Sequence, residues 1–353
     1  MVGALNIGAA ARHAKAALAA IALCIAAPAS AQEAPRNVVL VTIDGYRWEE
    51  LFRGADPSLV ADPRYRARYV DAPDRAQALT PFLLSFAQHG VLIGNRDQGS
   101  CARVANDFWF SYPGYAEILA GRPNPAIRAN QAVPNPDITV LERLIRRPEF
   151  TGQVRVYAAW DAAPAIVNTE RSHIPVFNPP DPSAPEDPQV IARAREVFGH
   201  LPRVTWIAFG DTDSRAHEGK YDAYLAAASD ADNFLRALWE AIEADPRTAG
   251  HTTMIVTADH GRGASAGGRW SGHGSGRWRG VIVPGLRHVG SDAVFIAARG
   301  PGVAATSAYG MTNCATSGQV AATLLQSLGL LNEVRQPDMA PPLAIFSAGA
   351  AAQ

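Results

Sequence analysis

Neither sign of charge is in excess in this sequence: 32 Lys and Arg stand against 33 Asp and Glu, for a net charge of -1 at pH 7. So balanced a chain has no global field to recruit a nucleic-acid polymer or an anionic membrane surface, and any anion binding has to be local. Transmembrane-length apolar runs are missing as well. The apolar stretch at residues 16–27 is too short to cross a bilayer, which needs roughly 20 residues. Cysteine is scarce, with only Cys24, Cys101 and Cys314. No internal repeat or low-complexity tract is present beyond the alanine-rich start.

What is there begins with an address. Arg12, His13 and Lys15 precede the apolar stretch, and Ala29-Ser30-Ala31 supplies a small-x-small cleavage site before Gln32, so residues 1–31 read as a secretory signal peptide. Leu23 stands where lipidation of Cys24 wants a small residue. The expectation is a soluble exported protein, periplasmic or secreted. Export leaves Cys101 and Cys314 in an oxidising compartment, where an even count suggests a disulfide, against two separately buried thiols. Residues 32–353 suffice for one large α/β domain or two smaller ones.

Along that remainder, residues 37–43 (NVVLVTI), 154–158, 204–209 and 253–258 are apolar runs with the look of strands covered on both faces. Residues 91–93 and 292–298 read as further strands. Helical periods occupy residues 80–86, 116–120, 138–147, 189–198, 221–244 and 318–328. Residues 161–188 carry seven prolines, which cannot sit inside a sheet ladder, so a surface excursion or small cap is expected. The alternation of strand and helix predicts an α/β fold with a mostly parallel central sheet and helices on both faces.

The predicted strands ending at 43, 209 and 258 run out into Asp44, into Asp213 and His217, and into Asp259 and His260. Ligands of open α/β sheets sit at the carboxyl ends of strands, so residues far apart in sequence can converge there. Asp213 and His217 share a helical face by their four-residue spacing. His273, in a glycine-rich segment, completes three aspartates and three histidines, an N/O set that suits zinc. Each fragment alone has an ordinary reading: an Asp-His pair at a strand end is common, and Ser111, just before a helix, is normally a cap. The same position aims a serine oxygen at a helix-terminal anion site.

An Asp-Gly after the first strand, Ser111-Tyr112-Pro113, Asp213-x-x-x-His217, Asp259-His260-Gly261 and the later His273 occur in one order. In this they resemble the alkaline phosphatase superfamily, in particular its nucleotide pyrophosphatase and phosphodiesterase branch. That resemblance implies one alkaline phosphatase-like catalytic domain over 32–353 and two divalent ions, zinc or manganese. Asp213, His217 and His273 would hold one ion; Asp44, Asp259 and His260 would hold the other, with Ser111 as its additional ligand and as the nucleophile. The implied reaction is hydrolysis of a small phosphate ester through a phosphoserine at Ser111. Two divalent ions against three carboxylates leave the centre at +1 before Ser111 ionises, which attracts an anionic ester.

The chain departs from relatives at informative places. Tyr115 stands where sulfatases that modify a Cys or Ser have arginine, and Gly114-Tyr115 replaces the Asn-His of the diesterase branch. No Arg or Lys lies within seven residues of Ser111, although Arg262, Arg269 and Arg277 could reach in from the glycine-rich loop, with a solvated surface as the ordinary reading of each. Asn106 is a candidate donor to a phosphate oxygen, with loop hydrogen bonding as the competing role. Two alternatives stay open: a phosphonate or sulfate ester hydrolase of the same superfamily, and an exported binding protein that has lost catalysis.

Overall fold

The fold is described from a computed structural model, in which residues 36–278, 281–304 and 309–347 are described; the signal peptide expected over residues 1–31 lies outside them. Strands β1 (Asn37–Ile43), β2 (Gly90–Ile93), β3 (Ala102–Arg103), β4 (Val154–Ala158), β5 (Val176–Phe177), β6 (Val204–Phe209) and β7 (Thr252–Thr257) come first. A β8 (Ser275–Trp278) and β9 (Val281–Arg287) hairpin follows, then β10 (Ala293–Val294), β11 (Ile296–Arg299) and β12 (Ala315–Thr316). The main sheet has seven strands in the order β2-β11-β7-β1-β6-β4-β5, with β11 antiparallel to both neighbours and the other pairings parallel.

Every residue of β1, β6 and β7 is buried, which is why these segments read as unbroken apolar runs rather than as alternating ones. In β1, Val38, Val39, Leu40, Val41 and Ile43 are each 0% exposed. Their burial contributes on the order of 10 kcal/mol before chain entropy is counted against it. The Tyr221–Ala244 helix buries Tyr224, Leu225, Ala228, Phe234, Leu235, Leu238 and Ile242, the helical stripe its period predicts. Among the described residues no helix is long and apolar enough to cross a membrane.

Register is what brings the chemistry together. Ile43 pairs with Phe209 and Thr42 with Thr257, so β1, β6 and β7 end level at one edge of the sheet. Asp44, the Asp211–His217 helix and Asp259 therefore all emerge at the same place.

Three elements differ from the sequence expectation. The proline-rich stretch holds two short helices, Ala163–Ile166 and Thr169–Ser172, and it supplies β5, the edge strand paired to β4. An edge position allows it because proline lacks a donor but keeps its acceptor: Val156 N–H donates to the Pro175 carbonyl at 3.2 Å. The next helix begins at Glu186 rather than 189, with Pro188 in its first turn, where proline removes no internal hydrogen bond. The run 292–298 is two strands, for the chain passes at Phe295 from a small sheet, ordered β10-β3-β12, into the main one.

The small sheet is stapled. Cys101 and Cys314 are disulfide-bonded immediately before β3 and β12, which pair in parallel. Closing a loop across a sequence separation of 213 residues contributes about 5 kcal/mol in the chain-entropy account.

Candidate metal centre

Ser111 is the first residue of the Ser111–Ala120 helix, entered from an extended Phe110 and buried along its whole length. Its hydroxyl lies 3.3 Å from His260 Nε2. That same nitrogen is 3.3 Å from Asp44 Oδ1 and 3.4 Å from Asp259 Oδ2. Donors 2.0–2.1 Å from one zinc ion sit about 3.3 Å apart at tetrahedral angles. The donors therefore have the spacing of a tetrahedral shell.

Each carboxylate in this group ties one oxygen to the protein and leaves the other bare. Asp44 Oδ2 accepts from Tyr115 O–H at 3.0 Å, and Asp259 Oδ1 accepts from Gly45 N–H at 3.1 Å. Asp44 Oδ1 and Asp259 Oδ2 are buried with no hydrogen bond. Buried carboxylate oxygens without a donor are costly unless a cation serves them. His260 is oriented to match, with Nδ1 2.8 Å from the Gly261 carbonyl, so a neutral ring donates there and turns its Nε2 lone pair toward the two oxygens.

The second group lies beside the first. His217 Nε2 is 2.9 Å from His273 Nε2 and 3.2 Å from Asp213 Oδ2, while His273 Nε2 is 3.6 Å from Asp213 Oδ1. His260 also comes within 3.9 Å of Asp213, so the two groups share a seam. We divide them as Asp213, His217, His273 and Asp44, Asp259, His260 because Asp213 is closer to both of the former histidines. Every ligand proposed from the sequence is thus brought to one place; the donor atoms that cluster tightly enough for one ion are those of Asp44, Asp259 and His260 and those of Asp213, His260 and His273, with His217 beside the latter.

Burial and like charges shift the titration of these side chains. Burial raises the Asp44 carboxyl above its ordinary range, with Asp213 adding to it. Burial likewise raises Asp259 well up, reinforced by Asp44. Burial pushes His260 down, but Asp259 and Asp44 outweigh it and bring the ring to about 9. A divalent ion would supply the positive charge that these carboxylates require and leave the ring neutral. Burial and the neighbouring His260 charge hold His273 well below its usual value.

Asp259→Asn tests this account. The amide keeps an acceptor for Gly45 and offers N–H to His260 where a bare oxygen stood. The expected outcome is an unchanged or higher melting temperature without metal and no further rise on adding zinc, followed by calorimetry. A variant that zinc stabilises as it does the wild type rules out Asp259 as a ligand.

Two sequence readings are corrected here. Asn106 does not line the pocket around Ser111; its amide N–H donates to Glu117 at 3.0 Å, and its oxygen accepts from Phe108 and Trp109 N–H, both at 3.0 Å. Those bonds hold Trp109 at a left-handed φ of 60°, so Asn106 shapes the turn that presents Ser111. Arg262 is not a solvated residue. It is 1% exposed, donates to the Trp270 and Ser271 carbonyls at 2.9 and 2.6 Å, and pairs with Asp213. It thereby ties the loop leading to His273 onto another ligand of the same group. Burial raises the Asp213 carboxyl, but the Arg262 charge and the His217 hydrogen bond hold it well below the usual range.

Sequence reasoning missed Tyr115, Asn130, Trp160 and Glu186. The last three line a cavity of about 360 Å³ together with Asp44, Ser111, Asp213 and His217. Only Tyr115 carried a signal, being four residues from Ser111 on the same helix. Asn130 Oδ1 accepts from Tyr112 N–H at 2.8 Å, which leaves its amide N–H₂ as the donor for this cavity.

Residues 186–331 match the family model described as the Metalloenzyme superfamily. No curated protein matches the sequence. Among solved structures, a 2-O GAG sulfatase is similar at 14% identity and TM-score 0.57, over 88% of this chain and 73% of that one. Murine ectonucleotide pyrophosphatase/phosphodiesterase 5, as an inactive variant in complex with AMP, is similar at 14% identity and TM-score 0.53, over 86% of this chain and 97% of that one. A protein in the alkaline phosphatase superfamily from Vibrio parahaemolyticus is similar at 13% identity and TM-score 0.52, over 90% and 71%. The fold is the alkaline phosphatase-like one. The match to the Metalloenzyme superfamily model lies on the segment that carries Asp213, His217, Asp259, His260 and His273.

Proposed function

We propose that the protein is an exported phosphodiester hydrolase that works through a phosphoserine at Ser111 and two divalent ions, with zinc as the first candidate. One observation carries the preference for a diester. Among the described residues, the cavity around Ser111 has no Lys or Arg in its lining, and it does contain the carboxylate of Glu186. A monoester dianion carries one more negative charge than a diester and calls for an added cation beside the nucleophile. This wall offers the opposite sign.

In this reading Ser111 Oγ forms the bond to phosphorus as the bond to the leaving oxygen breaks on the opposite side. Water then cleaves the phosphoserine, and two inversions retain configuration. The position of Ser111 at the start of a ten-residue helix favours its anionic form. Asn130 donates its amide N–H to a non-bridging oxygen, while Tyr115 and Gly45 hold Asp44 and Asp259 in place. When bound, the ions supply the positive charge that lowers the serine pKa and offsets charge building up on the ester oxygens. The Cys101–Cys314 disulfide supports an oxidising, extracytoplasmic location.

A sulfate monoester and a phosphonate monoester also carry a single charge. Tyr115, in place of the arginine that accompanies formylglycine formation, argues against the sulfatase. The test is kcat/KM of residues 32–353, loaded with zinc, on a nitrophenyl phosphate diester, the matching monoester, a phosphonate monoester and an aryl sulfate. Diester turnover at least tenfold above the monoester is expected. Preference for the monoester overturns the charge argument, and preference for the sulfate overturns the phosphoryl reading.

A further inference from the structure

The hairpin of β8 and β9 differs from the rest of the molecule in both burial and charge. β9 begins Val281-Ile282-Val283, an apolar run like those of the central strands, yet Ile282 is 72% exposed and Val281 62%, and Leu286 and Val289 are exposed as well. Of the six large apolar side chains exposed among the described residues, these are four. The two strands form a sheet of their own, with no third strand beside them among the described residues. Apolar exposure grouped in this way marks a surface that meets an apolar partner.

The charge around these residues has one sign. Residues 260–291 contain Arg262, Arg269, Arg277, Arg279 and Arg287 and no Asp or Glu, in a chain whose charges balance overall. Arg262 is buried and committed to Asp213. Arg269, Arg277 and Arg287 are exposed, and none of them forms an ion pair among the described residues. Arg277 stands opposite Ile282 in the register of the hairpin, and Arg287 follows Leu286 directly. Balance elsewhere in the chain does not cancel such a patch, because charges act in physiological salt only over about 8–10 Å.

The root of the hairpin is fixed while its far end is open. Ser275 N–H donates to the Phe108 carbonyl at 2.9 Å, Ser275 O–H donates to the Asp107 carbonyl at 2.5 Å, and His288 N–H donates to the Gly274 carbonyl at 2.9 Å. The Arg287 guanidinium lies over the Trp109 ring, 5.7 Å from its centroid. The ribbon therefore projects from the segment that leads into Ser111.

We propose that the β8 and β9 hairpin docks the protein onto an anionic lipid surface. A bilayer satisfies both halves of the patch: headgroup phosphates pair with the arginines, and the boundary of the acyl chains takes Val281, Ile282, Leu286 and Val289 out of water. A soluble polyanion serves the arginines alone and leaves the aliphatic side chains wet. A second copy of the hairpin sets arginine against arginine. Docking is independent of the ester that the protein hydrolyses, and its test needs no substrate.

The experiment is cosedimentation of residues 32–353 with vesicles of phosphatidylglycerol and phosphatidylcholine in equal parts, and with vesicles of phosphatidylcholine alone. The wild type is expected to bind the anionic vesicles about tenfold or more tightly than the neutral ones, and less tightly as salt is raised. Each arginine near such a surface is worth about fivefold in partition, so Arg277→Gln with Arg287→Gln lowers the partition coefficient about 25-fold. Ile282→Ser with Leu286→Ser lowers it about tenfold or more. All four side chains are exposed, so both double variants should melt near the wild type, and Arg277→Lys with Arg287→Lys should keep the binding. No binding of the wild type to anionic vesicles, or binding that both neutralising and polar variants retain, overturns the proposal, as does loss of binding in the lysine variant. Retention on dextran sulfate without vesicle binding makes the patch a polyanion site instead. A dimer in sedimentation velocity that Ile282→Ser with Leu286→Ser abolishes makes it an interface between copies, and either result overturns lipid docking.

Discussion

Ser111→Ala is expected to lower kcat by about 10³-fold or more while the protein still takes up metal, the scale on which removal of a nucleophile is felt. Asp44, Asp259 and His260 remain to hold the ion that Ser111 would share, and the other group does not involve Ser111. The residue is 4% exposed and its hydroxyl makes one polar contact, to His260, so its loss disturbs no folded hydrogen-bond network. Zinc stoichiometry by elemental analysis and the melting temperature should therefore stay near wild type while turnover collapses. Activity within tenfold of wild type eliminates Ser111 as the nucleophile. Loss of activity together with loss of metal makes it a ligand first, and that too contradicts the assignment.

Gly114→Ala is expected to damage fold and catalysis together. Gly114 lies one turn beyond Ser111, where the helix passes over the end of β7. A Cβ there would come 2.2 Å from the Asp259 carbonyl oxygen and 2.9 Å from its carbonyl carbon. These are backbone atoms, which cannot swing aside as a side chain does, so the helix has to move away from the strand that carries Asp259 and His260. Overpacking of this kind costs about 1–3 kcal/mol. Because a shift of about 1 Å in a reacting group can cost 10²-fold in rate, kcat should fall by about that factor even in the folded fraction. Thermal unfolding and single-turnover kinetics separate the two effects. A variant that melts and turns over like wild type would falsify the close approach itself.

The same glycine marks how far the sequence could be read. Ser111-Tyr112-Pro113 stands out in the sequence as a candidate nucleophile step, and Gly114 only as a departure from the Asn-His of the resembled branch. That a glycine is needed there depends on a second segment, at Asp259, which lies far along the chain and meets Gly114 only on folding. Asn106 went astray for a related reason, since a short polar side chain before a helix serves a ligand or its own turn equally well until the φ of Trp109 is known. Arg262 looked solvated because a Gly- and Arg-rich loop usually is, and only folding of that loop onto Asp213 buries it. Glu186 and Trp160 follow strands or begin helices without a local pattern, and nothing but the shared cavity relates them to Ser111.

By itself the sequence determined the element types and the chemistry at their ends. Runs buried on both faces are mostly apolar, and the carboxylates and imidazoles that follow them at 44, 213, 217, 259 and 260 stand out against that background. Tertiary structure alone decided which strand lies beside which, that β1, β6 and β7 end level, and that Asp44 and Asp259 each keep one bare oxygen toward His260. Hydrophobic pattern is a local, near-neighbour property of a chain. Register, burial of a charge and the lining of a cavity are long-range ones, created when segments remote in sequence are pressed together and water is removed from between them.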